Sequence, residues 1–384
     1  MKTVGIIVEY NPLHNGHLHH INETKRLSGC DVLVCVMSGN FTQRGEPALI
    51  DKFTRTKMAL NNGVDLVIEL PFVFSVQSAD VFSYTSVALL HHIGVDEIYF
   101  GSESGDISKL EELADVISSK PYNDLLKLNL KQGNSYPTAS DMAMKELHPQ
   151  SDYDLPNNIL GIQYITAVRK LNSKIKLFTI PRLSTGYYSE ETRNTNIQSA
   201  TAIRKLLLNN SSIRNYVPKD VYELLENRKI IHLDLFSDQM KYIISSSKKE
   251  DLVQIFNMTE GIDNRILKTR SFESVSDLVN QLLTRRYTNS KIKRNLIHIL
   301  CNTKANLIDS FEIPYIRILG MNNTGKGYLN TIKKDMTVPL ITKIKEKKHP
   351  YLEHEIHVSK IYQLVSDIDV FKEEFKPVIY LRFD

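Results

Sequence analysis

The sequence predicts an α/β fold: a Rossmann-like, doubly wound parallel sheet in the N-terminal half, followed by a mainly helical, basic C-terminal domain. Three observations carry this. Short apolar runs alternate with helical patterns through the first half, which places parallel strands under helices on both faces. Gly-Val-Asp twice separates a helix from a strand, at Gly63-Val64-Asp65 and Gly94-Val95-Asp96, with Gly in the left-handed cap. From about Val217 the pattern becomes mostly helical and the charge turns positive.

The elements follow in order. Gly5 to Val8 is too short for anything but a buried strand. The further strand candidates are "DVLVCVMS", "VDLVIELPF", "DEIYFGSE" and "IKLFTIPR". Helical spacing covers 17–28, 51–62, 79–93, 108–119 and roughly 159–171. Beyond them, "PKDVYELLENRKI", "DLFSDQMKYIISS", "DLVQIFNM", "SVSDLVNQLLTRR" and "SKIKRNLIHILCN" read as helices. Strand candidates return only near "YIRILGM", "VPLIT" and "PVIYLRF". The boundary is placed between 205 and 230, giving domains 1–215 and 216–384.

Composition narrows the function classes. Hydrophobic content of 42% and charged content of 24% are those of a globular protein, not a disordered one. Three widely spaced cysteines, Cys30, Cys35 and Cys301, offer neither a disulfide frame nor a thiolate zinc site, and no protein-held metal is expected. The N-terminal run is broken by Glu9, unlike a signal peptide, and no run of about eighteen apolar residues occurs. A cytoplasmic protein without a membrane partner is expected. Residues 1–200 hold 18 Lys+Arg against 22 Asp+Glu, whereas 201–384 hold 30 against 22. Within 264–305, nine basic residues face only Glu273 and Asp277. A near-neutral half joined to a basic half points to a catalytic domain and a polyanion-binding one.

The chemistry begins at "YNPLHNGH". A strand, a polar loop and His14-Asn15-Gly16-His17 opening a helix build a phosphate site. Gly16 lets backbone approach a ligand, and His14 and His17 donate to phosphate oxygens in the field of the helix start. His19 and His20 are weaker candidates. A second segment, "IQSATAIRKLLL", starts a helix at Ser199 and Thr201. Its Arg204, one turn in, can fork onto β- and γ-phosphates as pyrophosphate leaves.

Together these segments resemble the HIGH-type nucleotidyltransferase superfamily, in which an HxGH loop and an S-[ST]-T-x-[IV]-R segment close on ATP. Ala200 departs from that pattern. A narrower resemblance rests on "VGIIVEYNPLHNGHLHHI", "SGNFTQRGEPALIDKFTRTKMAL", "VDLVIELPF", "YFGSE", "NNILGIQY", "IPR" and "SATAIR". These are similar to the bacterial tRNA(Met) cytidine acetate ligase family, and "YIRILG" extends the likeness more weakly. The resemblance implies a fold of nucleotidyltransferase type and a ligase that uses ATP, with bound Mg²⁺, to activate acetate as acetyl-adenylate. It then acetylates the exocyclic amine of the wobble cytidine in elongator tRNA(Met), with no role for DNA.

The resemblance also implies an ATP site made of the loop Ile7, Val8, Glu9, Tyr10, Asn11, Pro12, Leu13, His14, Asn15, Gly16, His17, Leu18, His19 and His20, with Gly101, Asn157 and Arg182. The residues suit it: Gly101 and Arg182 come with strands whose carboxyl ends face ligands, and Asn157 can read a base or ribose edge. The polar loop "SGNFTQRGEP" brings Gln43 and Arg44 toward the activated acyl group. Pyrophosphate charge is expected to be offset by His14, His17, Arg204 and Mg²⁺, with no base evident for amine attack. Lys268, Arg270, Arg285, Arg286, Lys291, Lys293 and Arg294 are the candidates for RNA phosphate contact. "GMNNTGKG" mimics a P-loop but lacks the following Ser or Thr, and reads as a basic turn. The rival readings are a small-molecule adenylyltransferase with a phosphate acceptor and a non-catalytic ATP-binding RNA factor.

Overall fold

A computed structural model describes residues 1–183, 196–269, 271–345 and 349–382. Its first half alternates as the patterns predict. Strands β1 (Thr3–Val8), β2 (Val32–Ser38), β3 (Leu66–Leu70), β4 (Glu97–Ser102) and β5 (Lys176–Pro181) are separated by helices. The helices are α1 (Asn15–Ser28), α2 (Lys52–Asn61), α3 (Phe72–Ser75), α4 (Ala79–Ile93), α5 (Ile107–Ser118), α6 (Lys120–Lys131), α7 (Tyr136–Leu147) and α8 (Pro156–Lys170). Helix α9 (Ala200–Leu208) follows. Gly94 caps α4 at φ 80°, and Gly63 lies just beyond α2 at φ 101°, both left-handed as expected. Residues 120–147, for which the patterns predict no element, form α6 and α7. Ser119 and Ser135 cap them, with a proline in each first turn.

The strand order β5-β4-β1-β2-β3 is parallel throughout, with β1 between β2 and β4. The chain therefore winds from β1 through β2 to β3 in one direction and through β4 to β5 in the other. The crevice outside the carboxyl ends of β1 and β4 is the switch point, where such sheets bind ligands. Every residue of β2 and β3 is buried, as a strand covered on both faces requires.

The second half is helical where the charge turns positive. It holds α10 (Lys219–Leu225), α11 (Ser237–Ser246), α12 (Lys249–Leu252), α13 (Ile262–Leu267), α14 (Val275–Leu282) and α15 (Asn289–Leu300). It closes with α16 (Asn323–Ile332), α17 (Pro350–Gln363) and α18 (Val370–Glu373). "DLVQIFNM" is helical only over α12; past it Ile255 makes an isolated bridge to Lys304. The three late strand candidates form β6 (Ile316–Met321), β7 (Leu340–Ile341) and β8 (Ile379–Tyr380). Strand β6 lies antiparallel to β3 and so extends the N-terminal sheet. The P-loop mimic is not a turn but the start of α16. Asn322 accepts the Gly325 N–H, and a Cβ on Gly325 would lie 2.1 Å from the Asp65 carbonyl oxygen.

A buried ionic cluster joins the halves. Lys52 contacts Glu69, Glu355 (3.0 Å) and Glu374 (2.7 Å), while Arg317 contacts Glu69 (3.0 Å) and Glu374 (2.5 Å). Glu355 also accepts the Phe72 N–H at 2.6 Å. Three carboxylates face two cations, and burial with the neighbouring Glu355 pushes Glu69 up to about 7.

Candidate active site at the sheet switch point

The turn after β1 is built from within. Ile7 and Val8 end the strand. Tyr10, Asn11 and Leu13 are buried, the Asn11–Pro12 peptide is cis, and Asn11 Oδ1 accepts the Leu49 N–H at 2.8 Å. These residues hold the loop's shape. His14 is the N-cap of α1: its Nδ1 accepts the Gly16 N–H (3.1 Å), and His17 Nδ1 accepts the His14 N–H (3.3 Å). The two rings stack with centroids 3.8 Å apart. With both Nδ1 atoms accepting, each neutral ring carries its proton on Nε2, and the His17 ring also faces the Pro12 carbonyl. A Cβ on Gly16 would lie 2.9 Å from the His14 ring, so this glycine makes room for that ring and fixes its aim.

Burial, with Arg182 and Arg204 nearby, pushes His14 down to about 4; burial, then His14, holds His17 well below the ordinary range. Burial thus favours neutral imidazoles at both positions, beside the Arg182 and Arg204 guanidiniums. His20 is also pushed down to about 4 by burial, and its Nε2 has no partner among the described residues. Leu18 and His19 continue the helix, half-buried.

The second segment meets the first. Asn15 donates from Nδ2 to the carbonyls of Asn196 and Asn215, both at 2.9 Å, and from its backbone to Tyr216 (3.0 Å). Ser199 caps α9 by accepting the Ala202 N–H at 3.2 Å. Arg204 donates to the Asn11 carbonyl (3.0 Å) and to Thr201 Oγ1 (3.1 Å), which seats its guanidinium beside the histidines.

On the other side of the crevice Gly101 lies on β4, where a Cβ would come 3.3 Å from Arg182 Cγ. Arg182, just past β5, donates to Asn157 Oδ1 at 3.2 Å. Two residues that the sequence reading passes over organise this side. Glu103 accepts the backbone N–H groups of Asn157 and Asn158 at the start of α8, as well as the Asn157 amide. Buried Asn158 in turn accepts the N–H groups of Glu103 and Ser104. Both stand inside the quoted strings "YFGSE" and "NNILGIQY", but a residue that acts through backbone amides leaves no mark on spacing.

Known proteins were compared with this chain. The family model described as HIGH Nucleotidyl Transferase matches residues 1–376. The Bacillus subtilis tRNA(Met) cytidine acetate ligase is 41% identical over 95% of this chain and 92% of its own. The Caldanaerobacter subterraneus protein of the same name is 39% identical over 99% and 100%. This chain belongs to the tRNA(Met) cytidine acetate ligase family. A crystal structure of Thermotoga maritima TmcAL bound with alpha-thio ATP aligns over 100% of both chains, with TM-score 0.88 and 30% identity. The apo form gives a TM-score of 0.89.

In this ligase the loop after β2 is a junction. Glu9, beyond β1, accepts the Gln43 N–H at 2.7 Å; burial raises its carboxyl, opposed by that bond and by Arg44, Arg55 and Arg204. Gln43 Nε2 donates to the Gln77 carbonyl, and Arg44 is exposed. Gly45, at φ 74°, packs so tightly on α15 that a Cβ would lie 2.3 Å from the Arg294 nitrogen. Glu46 faces Arg204 at 3.7 Å and Lys293 at 2.5 Å. Of the RNA candidates, Lys293 is thus paired, as is Lys291 with Glu260. Arg285, Arg286, Arg294 and Lys268 have no ion pair among the described residues, and Arg270 lies outside them. No three His, Cys, Asp or Glu side chains among the described residues gather as a metal cage. No described helix is long and apolar enough to cross a membrane.

The neutral histidines predict acid sensitivity. His14, His20 and His354 sit near 4 and His298 near 3, all through burial, and His17 is also depressed. Each folded value lies below the unfolded 6.5, so below that pH the unfolded chain binds more protons and stability falls, by ~1.4 kcal/mol per pH unit for each group. The raised carboxyls of Glu69 and Glu9 oppose this, but the depressed histidines outnumber them. The melting temperature is expected to drop between pH 6.5 and 5. His298 donates from Nε2 to the Val76 carbonyl at 3.0 Å, so His298→Gln should shallow that slope. A melting temperature unchanged down to pH 5 contradicts the assignment.

Proposed function

We propose that this chain is an ATP-dependent, AMP-forming ligase acting on carboxylate and RNA. It activates acetate as acetyl-adenylate and acetylates the exocyclic amine of the wobble cytidine of elongator tRNA(Met), giving N4-acetylcytidine, AMP and diphosphate. One observation carries the reading. At the sheet's switch point the stacked His14 and His17 offer Nε2–H donors, and Arg204, from a segment nearly two hundred residues away, is held beside them.

The triphosphate would lie against the start of α1, its oxygens taking the two imidazole N–H groups. Arg204 and Arg182 would meet the charge that builds on pyrophosphate. The adenosine end would face Gly101 and Asn157. Mg²⁺ fits as an ion held mainly by phosphates and water, since the site itself supplies few carboxylates. An acetate oxygen attacks the α-phosphorus and the bond to pyrophosphate breaks. The cytidine amine then attacks the acyl carbon, the nitrogen sheds one proton, and AMP leaves. Delocalisation of the amine lone pair into the ring makes it a poor nucleophile, which is why the acyl group needs activation. An anticodon-loop base is already unpaired, so its entry costs only about a few kcal/mol.

The reading is tested by ATP–pyrophosphate exchange without RNA. Exchange that depends on acetate is the expected result. Exchange indifferent to acetate, or none even with tRNA present, rejects carboxylate activation and favours a phosphate acceptor or a non-catalytic role.

A further inference from the structure

An exposed aromatic ring stands near guanidinium groups that have no ion pair among the described residues. Tyr136, the first residue of α7, is 59% exposed and follows the buried cap Ser135. Two residues earlier, buried Asn134 accepts from Arg285 Nε (2.9 Å) and Nη2 (2.6 Å) and donates to the Asn129 carbonyl (3.0 Å). Asn134 therefore fixes the Arg285 guanidinium while leaving its charge intact. Arg286 adjoins it, exposed. Arg294, on α15, has its Nε buried without a partner among the described residues. Asp80, in the first turn of α4, acts electrostatically on both Tyr136 and Arg294.

The segment at Arg294 adjoins the reaction centre. Gly45 packs against the backbone at Arg294, while Gln43 bonds to Glu9 on one side and to Gln77 on the other. Gln77 lies three residues before Asp80. The lip of the crevice thus runs from Glu9 through this turn to the backbone at Arg294. Lysines elsewhere on the basic face are paired with Glu46 and Glu260, whereas Arg285 and Arg286 have no ion pair among the described residues and Arg294 feels only the field of Asp80.

We infer that Tyr136 is a stacking platform for an unpaired RNA base adjacent to the one that reacts, with Arg285, Arg286 and Arg294 holding the flanking phosphates. This rests on the RNA-acetylating reading above. A base stacks on an aromatic face whatever its identity, while guanidiniums hold the backbone, and an exposed tyrosine flanked by arginines supplies both. The platform explains why the α6–α7 hairpin is hydrogen-bonded to the basic segment: the hairpin carries the ring and the segment carries the charge.

The test uses the full chain and elongator tRNA(Met) transcript. Tyr136→Ala should raise the KM for tRNA about ten- to a hundred-fold, with acetate-dependent exchange and melting temperature as in the parent. Tyr136→Phe keeps the π-face and should acetylate within about two-fold of the parent. Salt dependence separates the two roles: Arg285→Gln should reduce the slope of log K against log salt by about one, and Tyr136→Ala should leave it in place. Parent-like tRNA kinetics for Tyr136→Ala, or a Phe variant as poor as the Ala one, overturns the platform. A parent protein with neither acetate-dependent exchange nor tRNA binding overturns the platform and the function together.

Discussion

Arg204→Ala should lower acetate-dependent ATP–pyrophosphate exchange by about a hundred- to a thousand-fold, the usual loss when a preorganised donor at a developing charge is removed. The size follows from what surrounds it. Arg204 is one of the few cations the crevice offers, because His14 and His17 are neutral there. Its guanidinium is aimed by the Asn11 carbonyl at 3.0 Å and Thr201 Oγ1 at 3.1 Å, with Glu46 at 3.7 Å too far to clamp it. Arg204→Lys should recover only part of the loss, since an ammonium cannot bond both anchors and still present a fork to phosphate. Because the contact strengthens as pyrophosphate forms, the loss should fall on the turnover rate more than on the KM for ATP. Exchange within about three-fold of the parent for Arg204→Ala would assign the charge to Arg182 instead.

How much of this was legible in the sequence depends on the kind of interaction. Alternating apolar runs gave the strands, and 3.6-residue spacing with the Gly63 and Gly94 caps gave most helices between them, so a parallel sheet binding ligands at its carboxyl edge was readable, whereas the strand order that makes the switch point was not. The HxGH loop and the Ser199–Arg204 segment were legible because their residue types are chemically distinctive. The protonation state of His14 and His17 was not. It depends on burial and on Arg182 and Arg204, which come from distant parts of the chain. Gly16 illustrates the same limit: its need for open space is visible as a glycine, but that a Cβ there would meet the His14 ring is not. Helices α6 and α7 were missed because their amphipathic faces are short and polar-rich. The pairing of β6 with β3 was missed because an antiparallel strand arriving from residue 316 has no local signature.

That late pairing also sets where the protein is most easily broken. Lys52→Met should destabilise the fold by about 3–5 kcal/mol, the range for removing one partner of a buried charge group. Lys52 is fully buried, and its ammonium meets carboxylates from β3 (Glu69), α17 (Glu355) and the end of α18 (Glu374). Methionine fills the volume but leaves three carboxylates facing Arg317 alone, at 3.0 Å from Glu69 and 2.5 Å from Glu374. Two of them must then take up protons or draw in water. The pH response gives the cause away. With Lys52 removed, the Glu69 carboxyl, already raised to about 7 by burial, rises further, so Lys52→Met should gain stability relative to the parent as the pH falls from 8 toward 6. Replacing Lys52 together with Glu69, as Lys52→Met with Glu69→Gln, removes one charge of each sign and should recover part of the loss. Chemical denaturation at pH 8 and pH 6 reads both effects. A uniform loss at the two pH values, with no recovery in the double variant, would mean that packing around the lysine stem, and not its charge, holds the C-terminal helices to the sheet.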